Sequence, residues 1–79
     1  MLRLSALKKG EICEVTALEK NKSIRRRLEE LGVIDGTKIQ CLFKSPLGDP
    51  SAYLIRGAVI ALRREDADAV LIERKEGNV

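Results

Sequence analysis

Two prolines bracket a glycine in Ser45-Pro46-Leu47-Gly48-Asp49-Pro50, and this hexapeptide constrains how the middle of the chain can fold. It stands between two β-patterned stretches, Thr37–Lys44 and Ala52–Arg56. Pro46 pre-sets φ for the first corner of a turn, and Gly48 accepts the positive φ that a side chain resists. Asp49 can bond its own following backbone, while Pro50 directs Asp49 toward an extended conformation. A merely flexible connection needs no such punctuation. Two readings follow: a well-made hairpin turn, or a projecting loop that presents Leu47 to a partner.

On either side of this turn the apolar spacing is mostly that of strands. Leu2, Leu4 and Leu7 form an apolar lead-in that ends at Lys8-Lys9-Gly10. Glu11–Leu18 alternates with Cys13, Val15 and Ala17 on one face, while Ile12 and Leu18 fall on the other and leave room for a bulge. Ser23 is placed as the N-cap of a short helix whose stripe is Ile24, Leu28 and Leu31, with Gly32 as its left-handed stop. Ile39, Cys41 and Phe43 alternate along a second strand, which puts Phe43 on the core face. Ala52–Arg56 ends at Gly57, and Ala58–Arg63 is nearly continuously apolar, as for a strand buried on both sides. Arg64–Asp68 reads as one charged helical turn, Val70 and Ile72 as a last strand. Lys75–Val79 reads as a mobile tail beyond a domain spanning 1–74. About five short strands and one short α-helix imply a mainly β fold, a small closed barrel without exposed edges.

A chain of 79 residues is one domain with little room for a deep cleft. It carries 44% hydrophobic residues but one Phe, one Tyr and no Trp, so its core is aliphatic. The net charge of +3 is spread along the chain and is far from the basic stripe of a dedicated nucleic-acid binder. There is no apolar run of membrane-spanning length. Cys13 and Cys41, both in strand-like segments, are expected as reduced, buried thiols of a cytosolic protein.

The ordered set Arg27-Leu28, Leu31-Gly32, Gly36-Thr37, Pro46-Leu47-Gly48-Asp49-Pro50, Gly57, Ile60-Ala61-Leu62-Arg63 and Ala67 resembles the FeoA family of ferrous-iron transport accessory proteins. The resemblance runs from about Leu4 to Ile72. It implies an SH3-like barrel in the bacterial cytoplasm, peripheral to the inner membrane when bound to FeoB, the ferrous-iron transporter whose cytoplasmic part binds GTP. A related domain closes metal-dependent transcriptional repressors. Asp35 departs from the proline common in the family, and Asp66 from the glutamate common before the alanine.

The chemistry of the residues excludes more than it assigns. With no histidine, the chain lacks the usual general base and the commonest metal ligand. Ser5, Ser23, Ser45 and Ser51 have no activating base beside them, and no Walker-type loop is present. The expectation is therefore no enzyme, no cofactor and no dedicated metal site: the two cysteines lack C-x-x-C spacing, and Asp35, Asp49, Asp66 and Asp68 are scattered turn and cap residues. Transition-metal binding enters only at the level of the family. Arg27 sits at the edge of the helix stripe, placed either to bond internally or to reach a partner, and Arg63-Arg64 reads as a solvated turn. The expected partner surface is the helix face with the apolar-tipped turn: Arg25, Arg26, Arg27, Glu29, Glu30, Leu47, Gly48 and Asp49. An uncovered edge or Leu47 leaves self-association open. The rival readings are a small basic barrel binding nucleic acid, with Tyr53 as its stacking platform, and a metal-responsive barrel.

Overall fold

In the computed structural model, which describes residues 2–47 and 49–75, one six-stranded antiparallel sheet carries nearly the whole core. The strands are β1 (Leu2–Arg3), β2 (Ile12–Leu18), β3 (Lys38–Lys44), β4 (Ser51–Ile55), β5 (Ala58–Leu62) and β6 (Val70–Lys75), ordered β1-β6-β2-β3-β4-β5. Helix α1 (Lys22–Glu30) joins β2 to β3, and the short α2 (Arg64–Asp68) joins β5 to β6. A 3₁₀ turn, Leu4–Ala6, follows β1. The apolar lead-in thus contributes a sixth strand, and the last strand runs through Lys75, which pairs with Ile12. Residues 76–79 lie outside the described residues.

The mainly β expectation holds, but the barrel is not closed by hydrogen bonds. Among the described residues β1 and β5 are the two edges, with no ladder between them. The gap is spanned by the 3₁₀ turn after β1 and by α2 after β5, which pack on one another. Lys44 Nζ, at the end of β3, adds a hydrogen bond to the Ser5 carbonyl of the 3₁₀ turn at 2.6 Å. Inside lie Leu4, Leu7, Val15, Leu28, Val33, Ile39, Ile55 and Val70, each at 1% exposure or less, so the core is aliphatic as composition requires.

The two long strands each shift register once, and each shift redirects side chains, because a one-residue slip moves everything after it to the other face. Between Val15 and Ala17 on β2 the shift exposes Ala17 and turns Leu18 toward the core. Between Cys41 and Phe43 on β3 it sends Phe43 outward, to 52% exposure, where strict alternation had put it inside. Tyr53, opposite Cys41, takes the interior instead and is 1% exposed. The segment expected to be a strand buried on both sides, Ala58–Arg63, forms the edge strand β5 over Ala58–Leu62; Val59 on it is 68% exposed.

Helix α1 begins earlier than expected. Asn21, not Ser23, is the N-cap: its Oδ1 accepts from the amides of Ser23 and Ile24 at 3.1 and 3.2 Å. The helix ends as expected at Gly32, with φ +91°. The Gly32 amide donates to the Glu29 carbonyl and the Val33 amide to the Leu28 carbonyl, the paired bonds of a Schellman stop. This brings Val33 onto Leu28, and both are fully buried, whereas Leu31 of the expected stripe is 36% exposed. A Cβ on Gly32 would also meet Arg56 Cδ at 2.5 Å. Gly32→Ala therefore has to destabilise the domain by about 1–2 kcal/mol from the left-handed backbone alone, read as a lower urea midpoint with unchanged slope.

Candidate functional site

The residues expected to meet a partner lie on two elements, and α2 ties both down. On α1, Arg27 reaches Asp66 of α2 at 2.5 Å. At the proline turn, the Asp49 carboxylate accepts the Arg64 amide, the first of α2, at 3.0 Å. The turn is also braced internally, since the Asp49 amide donates to Ser45 Oγ at 2.8 Å. Asp49 thus bonds across to α2 where a bond to its own following backbone was expected. Leu47, at the tip, is 90% exposed. Gly48 lies outside the described residues.

Arg25, Arg26, Glu29 and Glu30 are all exposed on α1, and Arg25 pairs with Glu29 at 3.4 Å. Such an exposed i,i+4 pair contributes a few tenths of a kcal/mol at most. It leaves an exposed face of mixed charge. Arg27 differs. Its carboxylate partner, Asp66, is a buried residue, so the acid expected as an exposed turn residue is in fact an interior anchor. The hydrogen bond and the charge of Asp66 hold the Arg27 guanidinium still more firmly protonated than usual. The internal reading of Arg27 is the one realised in this structure.

Asp68 and Glu19 complete the seam. Ser5 Oγ donates to the Asp68 carboxylate, while Arg3 pairs with Glu19 and donates to the Asp68 carbonyl. Arg3, Glu19, Asn21, Ile24, Glu65 and Asp68 border an open groove of both charge signs. Among the described residues no three His, Cys, Asp or Glu side chains converge in a manner that holds a metal ion.

Cys13 and Cys41 are free and fully buried on adjacent strands. Burial pushes the Cys13 thiol up to about 11, with the neighbouring Cys41 adding to the effect. Burial also raises Cys41, against the pull of Lys44. Tyr53 is pushed up to about 12 by burial, with a side-chain hydrogen bond to Ser51 opposing the shift. These groups stay neutral near pH 7, the form least suited to nucleophilic attack or metal ligation. Tyr53 is also removed as a stacking platform: the exposed aromatic is Phe43.

The FeoA domain matches residues 2–74, almost the whole chain. This chain belongs to the FeoA family. It is 35% identical to the FeoA protein of Chlorobium tepidum, whose solution structure superposes with a TM-score of 0.86 over 99% of this chain and 74% of that one. A zinc complex of the FeoA protein of Stenotrophomonas maltophilia, described as a prokaryotic SH3-domain protein, is 28% identical with a TM-score of 0.82, covering 92% of this chain and 91% of that one. A Porphyromonas gingivalis protein, an Fe(2+) transport protein A/Fe(2+) transporter FeoB fusion, is 34% identical over 77 residues. That match takes in 98% of this chain but 9% of the fusion protein. The fold is therefore SH3-like, as the resemblance implied. No helix is long and apolar enough to cross a membrane among the described residues.

Sequence reasoning missed Asp66 and α2 as organising elements, because a charged pentapeptide gives no apolar signal. The one cue was Ala67, fully packed at 1% exposure within the charged run. Two measurements check the site. In a double-mutant cycle, Arg27→Ala and Asp66→Ala each lower the melting temperature, and the double variant loses clearly less than the sum. The buried thiol and phenol also set an alkaline limit. Between pH 9 and about 11 the unfolded chain releases the Cys13 proton while the folded chain keeps it, so stability falls as pH rises. Urea midpoints across that window are expected to fall for the parent and to fall less steeply for Cys13→Ala.

Proposed function

We propose that this FeoA-family chain is a non-enzymatic accessory protein of bacterial ferrous-iron uptake, and that it docks on the cytoplasmic, GTP-binding part of a FeoB-type transporter. One observation carries the reading. In the Porphyromonas gingivalis relative, an FeoA-like stretch and the transporter are one polypeptide. A covalent link replaces a binding equilibrium by a high effective concentration, so a fusion is what a functional association leads to when it is made permanent. The present chain would make the same contact in the cytoplasm, peripheral to the inner membrane.

The surface assigned to this contact is the charged face of α1 (Arg25, Arg26, Glu29, Glu30) together with Leu47 and its turn. Arg27 and Asp49 act indirectly, holding α1 and the turn to α2. Leu47 is suited to be the anchor: an exposed leucine on a braced turn loses little conformational entropy when a pocket takes it. The pairing of Arg25 with Glu29 favours a partner face that also mixes both charges.

Calorimetry with the transporter's cytoplasmic domain, nucleotide-free and with GDP or a GTP analogue, tests the reading. Leu47→Glu is expected to leave unfolding within about 0.5 kcal/mol of the parent and to weaken binding at least tenfold, about 1.4 kcal/mol. Absence of binding in every nucleotide state would refute the proposal.

A further inference from the structure

The free edge of β5 is built unlike the other edge of the sheet. β1 is two residues long, and a 3₁₀ turn ends it at once. β5 is a full strand, Ala58-Val59-Ile60-Ala61-Leu62, with no proline, charge or bulge within it. Natural sheets usually blunt such an edge with one of those devices. Burial explains Ile60 and Leu62, which face the core, but not Val59, which is 68% exposed, nor the exposed Ala58 and Ala61.

Its hydrogen-bonding register shows what the edge offers. Arg56 and Gly57, both at positive φ, make a two-residue turn closed by the pair Ile55 and Ala58. From that closing pair the bonded positions alternate, so Ile60 and Leu62 direct their backbone groups to β4, and Val59 and Ala61 direct theirs outward. Each outward residue continues an apolar row across the outer face of the sheet: Ala61 lies beside Ala52 and then Phe43, and Val59 beside Leu54. An added strand would find both open backbone groups and an apolar floor.

The charge at the ends selects the occupant. Arg56 precedes the strand, Arg63 and Arg64 follow it, all exposed and in no ion pair among the described residues. A second copy pairing antiparallel about Ile60 would set Arg56 against Arg64 at both ends, so the full-length homotypic register is repulsive. An extended strand with acidic residues beyond an apolar centre is complementary at both ends. We propose that the β5 edge is a strand-addition site for an extended segment of another protein, apolar at alternate positions and acidic at its flanks. This assignment stands on the edge itself and does not depend on the transporter reading.

The probe is a synthetic peptide of alternating valine and threonine with two acidic residues at each end, and a twin with lysine at those ends. Amide hydrogen exchange followed by NMR on the full chain reads the site. The acidic peptide is expected to slow exchange at the Val59 and Ala61 amides selectively and to bind at least tenfold more tightly than its lysine twin. In the Arg63→Glu/Arg64→Glu variant that preference is expected to shrink or invert. Ala61→Pro, which removes an outward amide and leaves the bonds to β4 in place, is expected to weaken the acidic peptide; should it unfold, the comparison on the parent chain still decides. Equal binding of the two peptides, unchanged exchange at Val59 and Ala61 up to the solubility limit, or protection of those amides by a concentration-dependent dimer without peptide would each overturn the assignment.

Discussion

A sheet that does not close on itself must be held shut by something else, and here that is the short charged helix α2. Within Arg63–Ala69 the chain offers its Arg64 amide to Asp49, its Asp66 carboxylate to Arg27, and its Asp68 groups to Ser5 and Arg3. The Glu19 amide donates to the Ala69 carbonyl, and Ala67 and Ala69 enter the core. A five-residue helix has no stability of its own in water. It persists because α1, the proline turn, the 3₁₀ turn and the residue after β2 all bond to it or to its C-cap. The dependence is mutual, and the Arg27–Asp66 bond is its least replaceable part. Most surface ion pairs are worth little because water competes for both charges. The Asp66 side chain is only 11% exposed, so loss of its partner leaves a largely buried acid without its counter-charge.

The register shift on β3 has the second largest consequence. Period-2 alternation from Ile39 and Cys41 places Phe43 inside, and a chain with one Phe and one Tyr has few aromatics to spare. The shift after Cys41 reverses that placement, and Tyr53 fills the interior, on the same face of β4 as Ser51. Phe43 then joins Ala52 and Ala61 on the outer face. One extra residue in a strand thus changes both what the core contains and what the surface presents.

The sequence made some features legible and concealed others for identifiable reasons. Gly32 was readable because only a left-handed residue ends a helix that way, and the turn around Leu47 because prolines and glycine leave few alternatives. The alternation in β2 and β3 was readable up to each bulge and wrong after it, since nothing in Thr16 or Leu42 announces an inserted residue. Asn21 displaced Ser23 as cap because the helix face that packs Leu28 in the core decides where the first turn starts. Ala58–Leu62 misled because an apolar run records how strongly a segment avoids water, and not which partner covers it. Asp66 was hidden because its partner lies 39 residues away along the chain, on another helix.

Within the core, the thiols and the phenol are neutral and enclosed, so reactivity has no outlet there. What the domain can offer lies on its rim, and the seam brings the rim's parts together. Asp49 bonds the residue two beyond Leu62, so the turn that carries Leu47 stands at the end of the β5 edge. Leu62 itself pairs with Ser51, directly after the turn. A strand added to β5 would therefore run toward or away from Leu47, and α2 is bonded both to that turn and to α1. The rigidity of the seam gives these separate features one shape, and a shape held in advance loses less entropy when a partner closes on it.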